Sequence, residues 1–70
     1  MKGDQLREIR VELGLTLAEF GRALSYQGSK DDVARHVRRL EKGIRKVPRA
    51  IERLAFMFLC HGVPEPWRRP

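Results

Sequence analysis

DDVARHVRRLEKGIRKVPR, residues 31–49, is the stretch on which the fold turns. Val33, Val37 and Leu40 recur at i, i+4 and i+7, so an apolar stripe runs down one side of a helix. Arg35, Arg38, Arg39 and Lys42 recur at helical spacing on the opposite side. Gly43 then ends the helix, because glycine adopts a left-handed conformation without a Cβ clash. Such a helix seats one face on a core and shows four cations to its surroundings. From Arg35 to Arg53 there are eight Lys/Arg and two Glu, a local balance of +6 that equals the net charge of the whole chain. The remaining residues therefore sum to zero. No acid interrupts the cationic face on this reading, since Glu41 falls near the apolar edge. Charge gathered this way fits a phosphate backbone. A merely solvated charged face is the plainer alternative.

Working back toward the N-terminus, Ser29 caps this helix, with Asp32 at its third position, and a start at Asp31 or Asp32 is close behind. Acids suit the positive end of a helix, but they oppose a phosphate approaching that end. SYQG, residues 25–28, breaks it from the helix before. That earlier helix opens on a capping box, Thr16-Leu17-Ala18-Glu19, with Leu15 and Phe20 placed as a hydrophobic staple. Phe20 and Leu24 carry its buried face. Gly21 sits mid-helix, where glycine costs about 1 kcal/mol against alanine and often marks close approach of another helix. A first helix runs from about Gln5 to Leu13, capped by Asp4, striped by Leu6, Ile9 and Leu13, and closed by Gly14.

Beyond Gly43, Pro48 suits the first position of a fourth helix. Ile51, Leu54, Ala55, Phe58 and Leu59 form its core face, and Phe56 and Cys60 fall on its back. The tail HGVPEPWRRP holds three prolines, so it is not helical throughout, and Trp67 is placed to fold back on the body. The expected organisation is one domain over residues 1–62 and a Pro-rich basic tail over 63–70.

A chain of 70 residues with 41% hydrophobic and 34% charged residues is globular, with a core small enough that self-association would help it. One cysteine permits no internal disulfide and points to a reducing compartment. The longest apolar run, Leu54 to Cys60, is too short for a bilayer, and MKGDQLREIR lacks the apolar core of a signal peptide. A cytoplasmic protein without membrane contact is the expectation.

Residues 6–59 resemble the helix-turn-helix domains of the phage repressor and Cro family, also called the xenobiotic-response-element family. The matching pieces are LxxIRxxxGLT at Leu6–Thr16, VxxLExG at Val37–Gly43 and, more loosely, KxPRxxxxLAxxxL at Lys46–Leu59. The resemblance implies a compact all-α bundle of four to five helices, lambda-repressor-like, whose second and third helices form the motif. It also implies an ion pair between Arg10 and Glu41. Leu17 stands where the family usually has a glutamine touching phosphate, so that contact is missing. The interval from Leu24 to Glu41 is about six residues longer than the family's common spacing. The extra length goes into either the turn or the third helix.

On this reading Arg35, Arg38, Arg39 and His36 face the bases, guanine being favoured because an arginine fork matches its two major-groove acceptors. Lys30, Lys42, Arg45, Lys46 and Arg49 hold phosphates, which positions the domain without reading sequence. The expected function is site-specific binding of double-stranded DNA by a repressor-like regulator acting as a weak homodimer. A protein-interaction module on the same fold, an antitoxin or antiactivator, is the rival, with Phe56, Cys60, Val63 and Trp67 as its surface. Sequence-indifferent coating of DNA or RNA is a third reading. Enzymatic chemistry is not expected: the histidines are His36 and His61, Cys60-His61 lacks partners at ligand spacing, and no phosphate loop occurs. No metal or cofactor is expected either.

Overall fold

The computed structural model describes residues 1–63, and residues 64–70 lie outside the described part. The expected turn at Pro64–Trp67 and the fold-back of Trp67 fall there. Four helices follow one another: α1 Gly3–Leu13, α2 Leu17–Ala23, α3 Lys30–Glu41 and α4 Arg49–His61. The described residues contain no strand and no fifth helix.

The α1 helix begins two residues before Gln5, and Asp4 lies in its first turn rather than at its cap. Lys2, in extended backbone, holds the cap position, and its N–H donates to Gln5 Oε1 at 3.0 Å. Packing explains the early start. A Cβ on Gly3 would overlap the Leu40 and Glu41 carbonyl oxygens, so the first turn of α1 lies directly against the end of α3. At the far end Gly14 takes φ 71°, and the Leu15 N–H reaches the Arg10 carbonyl.

The capping box forms as the sequence predicts. Glu19 N–H donates to Thr16 Oγ1 at 3.1 Å, and Thr16 N–H donates to Glu19 Oε1 at 2.9 Å. Gly21 is the close-approach point. A Cβ there would run into Val33 Cγ1 and crowd Val37 Cγ2, so α2 and α3 meet more closely than any larger residue permits. Residues 24–29 connect the two helices, and α3 itself is 12 residues long. Ser25 makes the turn in the left-handed region at φ 74°, and Arg22 Nη2 braces it with a bond to the Gly28 carbonyl at 2.9 Å. Ser29 caps α3, accepting from Asp32 N–H at 3.2 Å.

Pro48 lies one residue outside α4, as its N-cap, because ψ 149° is extended; its carbonyl accepts the Glu52 N–H at 3.0 Å. Ile51, Ala55 and Phe58 are buried, and Leu54 is half-buried. Leu59 departs from the expected core face and is 43% exposed. It lies about 100° round the helix from Phe58 and, with Phe56, lines an open groove against Ile9, Glu8 and Glu12 of α1.

The core gathers Leu6 of α1, Phe20 and Leu24 of the α2 segment, and Val33, Val37 and Leu40 of α3, each under 2% to 2% exposed. α1 is the middle element, packed on α3 along one side and on α4 along the other. Val63, assigned to the tail by sequence, is buried in this core. The Met1 amino group pairs with Glu52 at 3.3 Å and ties the start of α1 to the start of α4. No described helix is long and apolar enough to cross a membrane.

Candidate nucleic-acid interface

α3 presents the face that its spacing predicts. Val33, Val37 and Leu40 are buried, while Arg35, Arg38, Arg39 and Lys42 are exposed. Two devices hold the helix in place. One is the Gly21 contact with α2. The other is the ion pair of Arg10 with Glu41, at 2.7 Å from Nε to Oε2 and 3.4 Å from Nη2 to Oε1. Arg10 Nη1 also donates to the Leu15 carbonyl at 3.0 Å. One guanidinium thus joins α1, the link to α2 and the last turn of α3. Glu41 is 8% exposed, so it lies inside the protein and not merely at the edge of the apolar stripe. The glutamate interrupting the basic stretch is therefore spent on structure.

The face is not free of acid, contrary to the sequence expectation. Asp31 and Asp32 are exposed in the first turn of α3, and Asp32 Oδ1 lies 3.7 Å from Arg35 Nη1. Residues i and i+3 share a helix face, so these acids stand beside the arginines and not behind them. The face thus changes sign along its length, acidic at its beginning and basic at its end. Lys30 is exposed at the acidic end, next to Asp31.

Past the helix, Gly43 turns the chain at φ 78° and the Ile44 N–H returns to the Arg39 carbonyl at 3.0 Å. Val47 is buried and pins the loop, which leaves Arg45, Lys46 and Arg49 exposed. Two adjoining grooves collect the cations. The first is lined by Arg7, Arg38 and Lys42, together with Asp4 and Leu17. The second is lined by Lys2, Lys42, Arg45 and Lys46, beneath Gly3 and Asp4. Lys2 and Arg7 were not singled out from the sequence. They lie at the other end of the chain from residues 31–49, and only the packing of α1 on α3 brings them there.

His36, placed with the base-facing residues by sequence, is half-buried. Its ring centroid lies 4.3 Å from that of Tyr26. Burial raises the Tyr26 phenol above its ordinary range.

The rival surface is only partly assembled. Phe56 and Cys60 are exposed on α4, joined by Met57 and Leu59. Val63 does not belong with them, because it is 7% exposed and packs in the core. Trp67 lies outside the described residues. Glu8 and Glu12 line the groove between α1 and this part of α4. Among the described residues, no His, Cys, Asp and Glu side chains gather as a metal site would require. No family model matches the chain, and neither a curated protein nor a solved structure does.

Proposed function

We propose that the chain is a helix-turn-helix protein that binds double-stranded DNA at specific sites and regulates transcription, as phage and mobile-element repressors do. One observation carries the reading. α3 is clamped by α2 and α1 along its apolar stripe and leaves Arg35, Arg38, Arg39 and Lys42 exposed on a single face, followed by the exposed Arg45 and Lys46 of the next loop and Arg49 at the start of α4. A helix held rigidly with a cationic face outward suits the major groove. Arg35, Arg38 and Arg39 read base edges, and the loop cations hold the backbone. A weak homodimer would place two such helices one helical turn of DNA apart, about 34 Å.

The test separates reading from holding. A duplex enriched from a randomised pool is compared with a scrambled duplex over a salt series. Arg38→Ala should cost about 1–3 kcal/mol on the enriched site and relax the preference at one base pair. Arg45→Ala should weaken binding to both duplexes alike and lower the salt slope by about one. Equal losses on both duplexes for every arginine variant would make α3 an electrostatic clamp without site preference.

A second reading has its own observation. Phe56, Met57, Leu59 and Cys60 are exposed apolar residues on α4, just past the end of the basic stretch at Arg53. A protein-interaction module, alone or beside DNA binding, would use that patch.

A further inference from the structure

The charge of this protein is divided along α1. Arg7 lines the groove shared with Arg38 and Lys42 of α3, whereas Glu8 and Glu12 line the groove shared with Phe56 and Leu59 of α4. Successive residues point about 100° apart on a helix, so Arg7 and Glu8 look toward different neighbours. Arg7 also borders Asp4, Glu8 and Glu12 in a groove along the outer side of α1, so the cationic character is confined to the side facing α3.

On the favoured flank the two cationic grooves are continuous, because Asp4, Glu41 and Lys42 line both. Between them they display Lys2, Arg7, Arg38, Lys42, Arg45 and Lys46. The opposing acids are few. Glu41 is engaged by Arg10, which leaves Asp4 as the other carboxylate of the two grooves. Arg38 and Lys42 stand at the C-terminal end of α3, Arg45 and Lys46 in the loop after it, and Lys2 and Arg7 at the start of α1. The acidic first turn of α3 is elsewhere. Asp31 and Lys42 are eleven residues apart, roughly 16 Å at the rise of a helix and about two Debye lengths at physiological salt, whereas Asp32 and Arg38 are six apart, roughly 9 Å and about one Debye length. The acids therefore reach an anion beside Arg38 and scarcely disturb one held by Lys42, Arg45 and Lys46.

We infer that the nucleic acid runs across the seam between the start of α1 and the end of α3. Lys2 and Arg7 are two backbone-holding residues there, and the Asp31 and Asp32 carboxylates do not meet the phosphates. The inference rests on the nucleic-acid reading above and fixes how the molecule lies on its partner. Docking by the first turn of α3 is the opposite arrangement. It would bring Asp31 and Asp32 onto the phosphates and leave Lys2 and Arg7 idle.

Four variants decide between the two: Lys2→Ala, Arg7→Ala, Asp31→Asn and Asp32→Asn, titrated against one 20-base-pair duplex from 50 to 200 mM salt. The substituted side chains are exposed, and thermal melts of each variant check that the fold is kept. If the seam holds the backbone, Lys2→Ala and Arg7→Ala each lower the salt slope by about one, so each shrinks the affinity change over that range by about 3.5-fold. The aspartate variants keep the wild-type slope and stay within about twofold of its affinity. If the aspartate variants bind much more tightly while Lys2→Ala and Arg7→Ala match wild type, the orientation is overturned and the nucleic-acid reading stands. If wild-type protein binds no duplex, the function and the orientation fall together.

Discussion

Removing Arg10 should damage this fold more than removing any other surface-reaching cation. Its side chain is 17% exposed and that of Glu41 is 6% exposed. Arg10→Met keeps most of the packing volume but leaves the Glu41 carboxylate buried without its partner. Breaking a buried pair from one side costs about 3–5 kcal/mol. A domain of this size has roughly 3.5–10 kcal/mol in total, from about 0.05–0.15 kcal/mol per residue. Arg10→Met should therefore remove a third or more of the stability. Even a loss of about 3 kcal/mol lowers the Tm by roughly 12–24 °C. Glu41→Gln is the milder change, because Arg10 keeps its bond to the Leu15 carbonyl and a path to solvent, so a loss of about 1.5–3 kcal/mol is expected. The double variant Arg10→Met/Glu41→Gln leaves no orphaned charge. It should cost less than the two single losses together, by about 0.5–3 kcal/mol. Urea unfolding followed by circular dichroism measures all four proteins, with unchanged m-values as the check on two-state behaviour. Additive losses, or an Arg10→Met cost below about 1 kcal/mol, would mean that the pair behaves as an exposed one and that α3 is held by its apolar stripe alone.

Three further outcomes follow from single contacts. Gly21→Ala gains helix propensity of about 1 kcal/mol yet should destabilise by about 1–3 kcal/mol net, because its Cβ meets Val33 and Val37; pairing it with Val33→Ala should restore part of the loss in the same urea assay. Tyr26 is the single tyrosine, so absorbance of its phenolate can be followed alone, and titration should place its ionisation above the ordinary value of 10.0. With the folded value raised, the protonated phenol's share of stability is whole below 10.0 and is lost as pH climbs toward the folded value; Tyr26→Phe should flatten that part of the melting profile. Phe56→Asp should abolish cooperative binding to paired half-sites and lower the sedimenting mass if α4 forms the homodimer, whereas unchanged mass and cooperativity would remove that face from consideration.

The elements of this fold are legible in the sequence because their signals are local. The Thr16 capping box, the Ser29 cap and the turns at Gly14 and Gly43 each depend on residues within a few positions, and each forms as its spacing predicts. Val33, Val37 and Leu40 mark the buried side of α3 for the same reason, since helical periodicity is a property of the segment itself. The basic character of residues 35–53 is likewise written in composition. Tertiary structure decided what periodicity leaves open. The start of α1 moved to Gly3 because the end of α3 needs a residue without a side chain there. Leu59 stayed exposed in an open groove beside α1, whereas Val63, past the end of α4, went into the core. The path from α2 to α3 is fixed by the close approach at Gly21 and by Arg22 bonding the Gly28 carbonyl. The cationic seam is the clearest case. Lys2 and Arg7 are some forty residues away from Lys42, Arg45 and Lys46, and no local pattern joins them. They share a surface only because burying Leu6 and Ile9 against the core lays α1 across the end of α3 and turns Arg7 to one flank and Glu8 to the other.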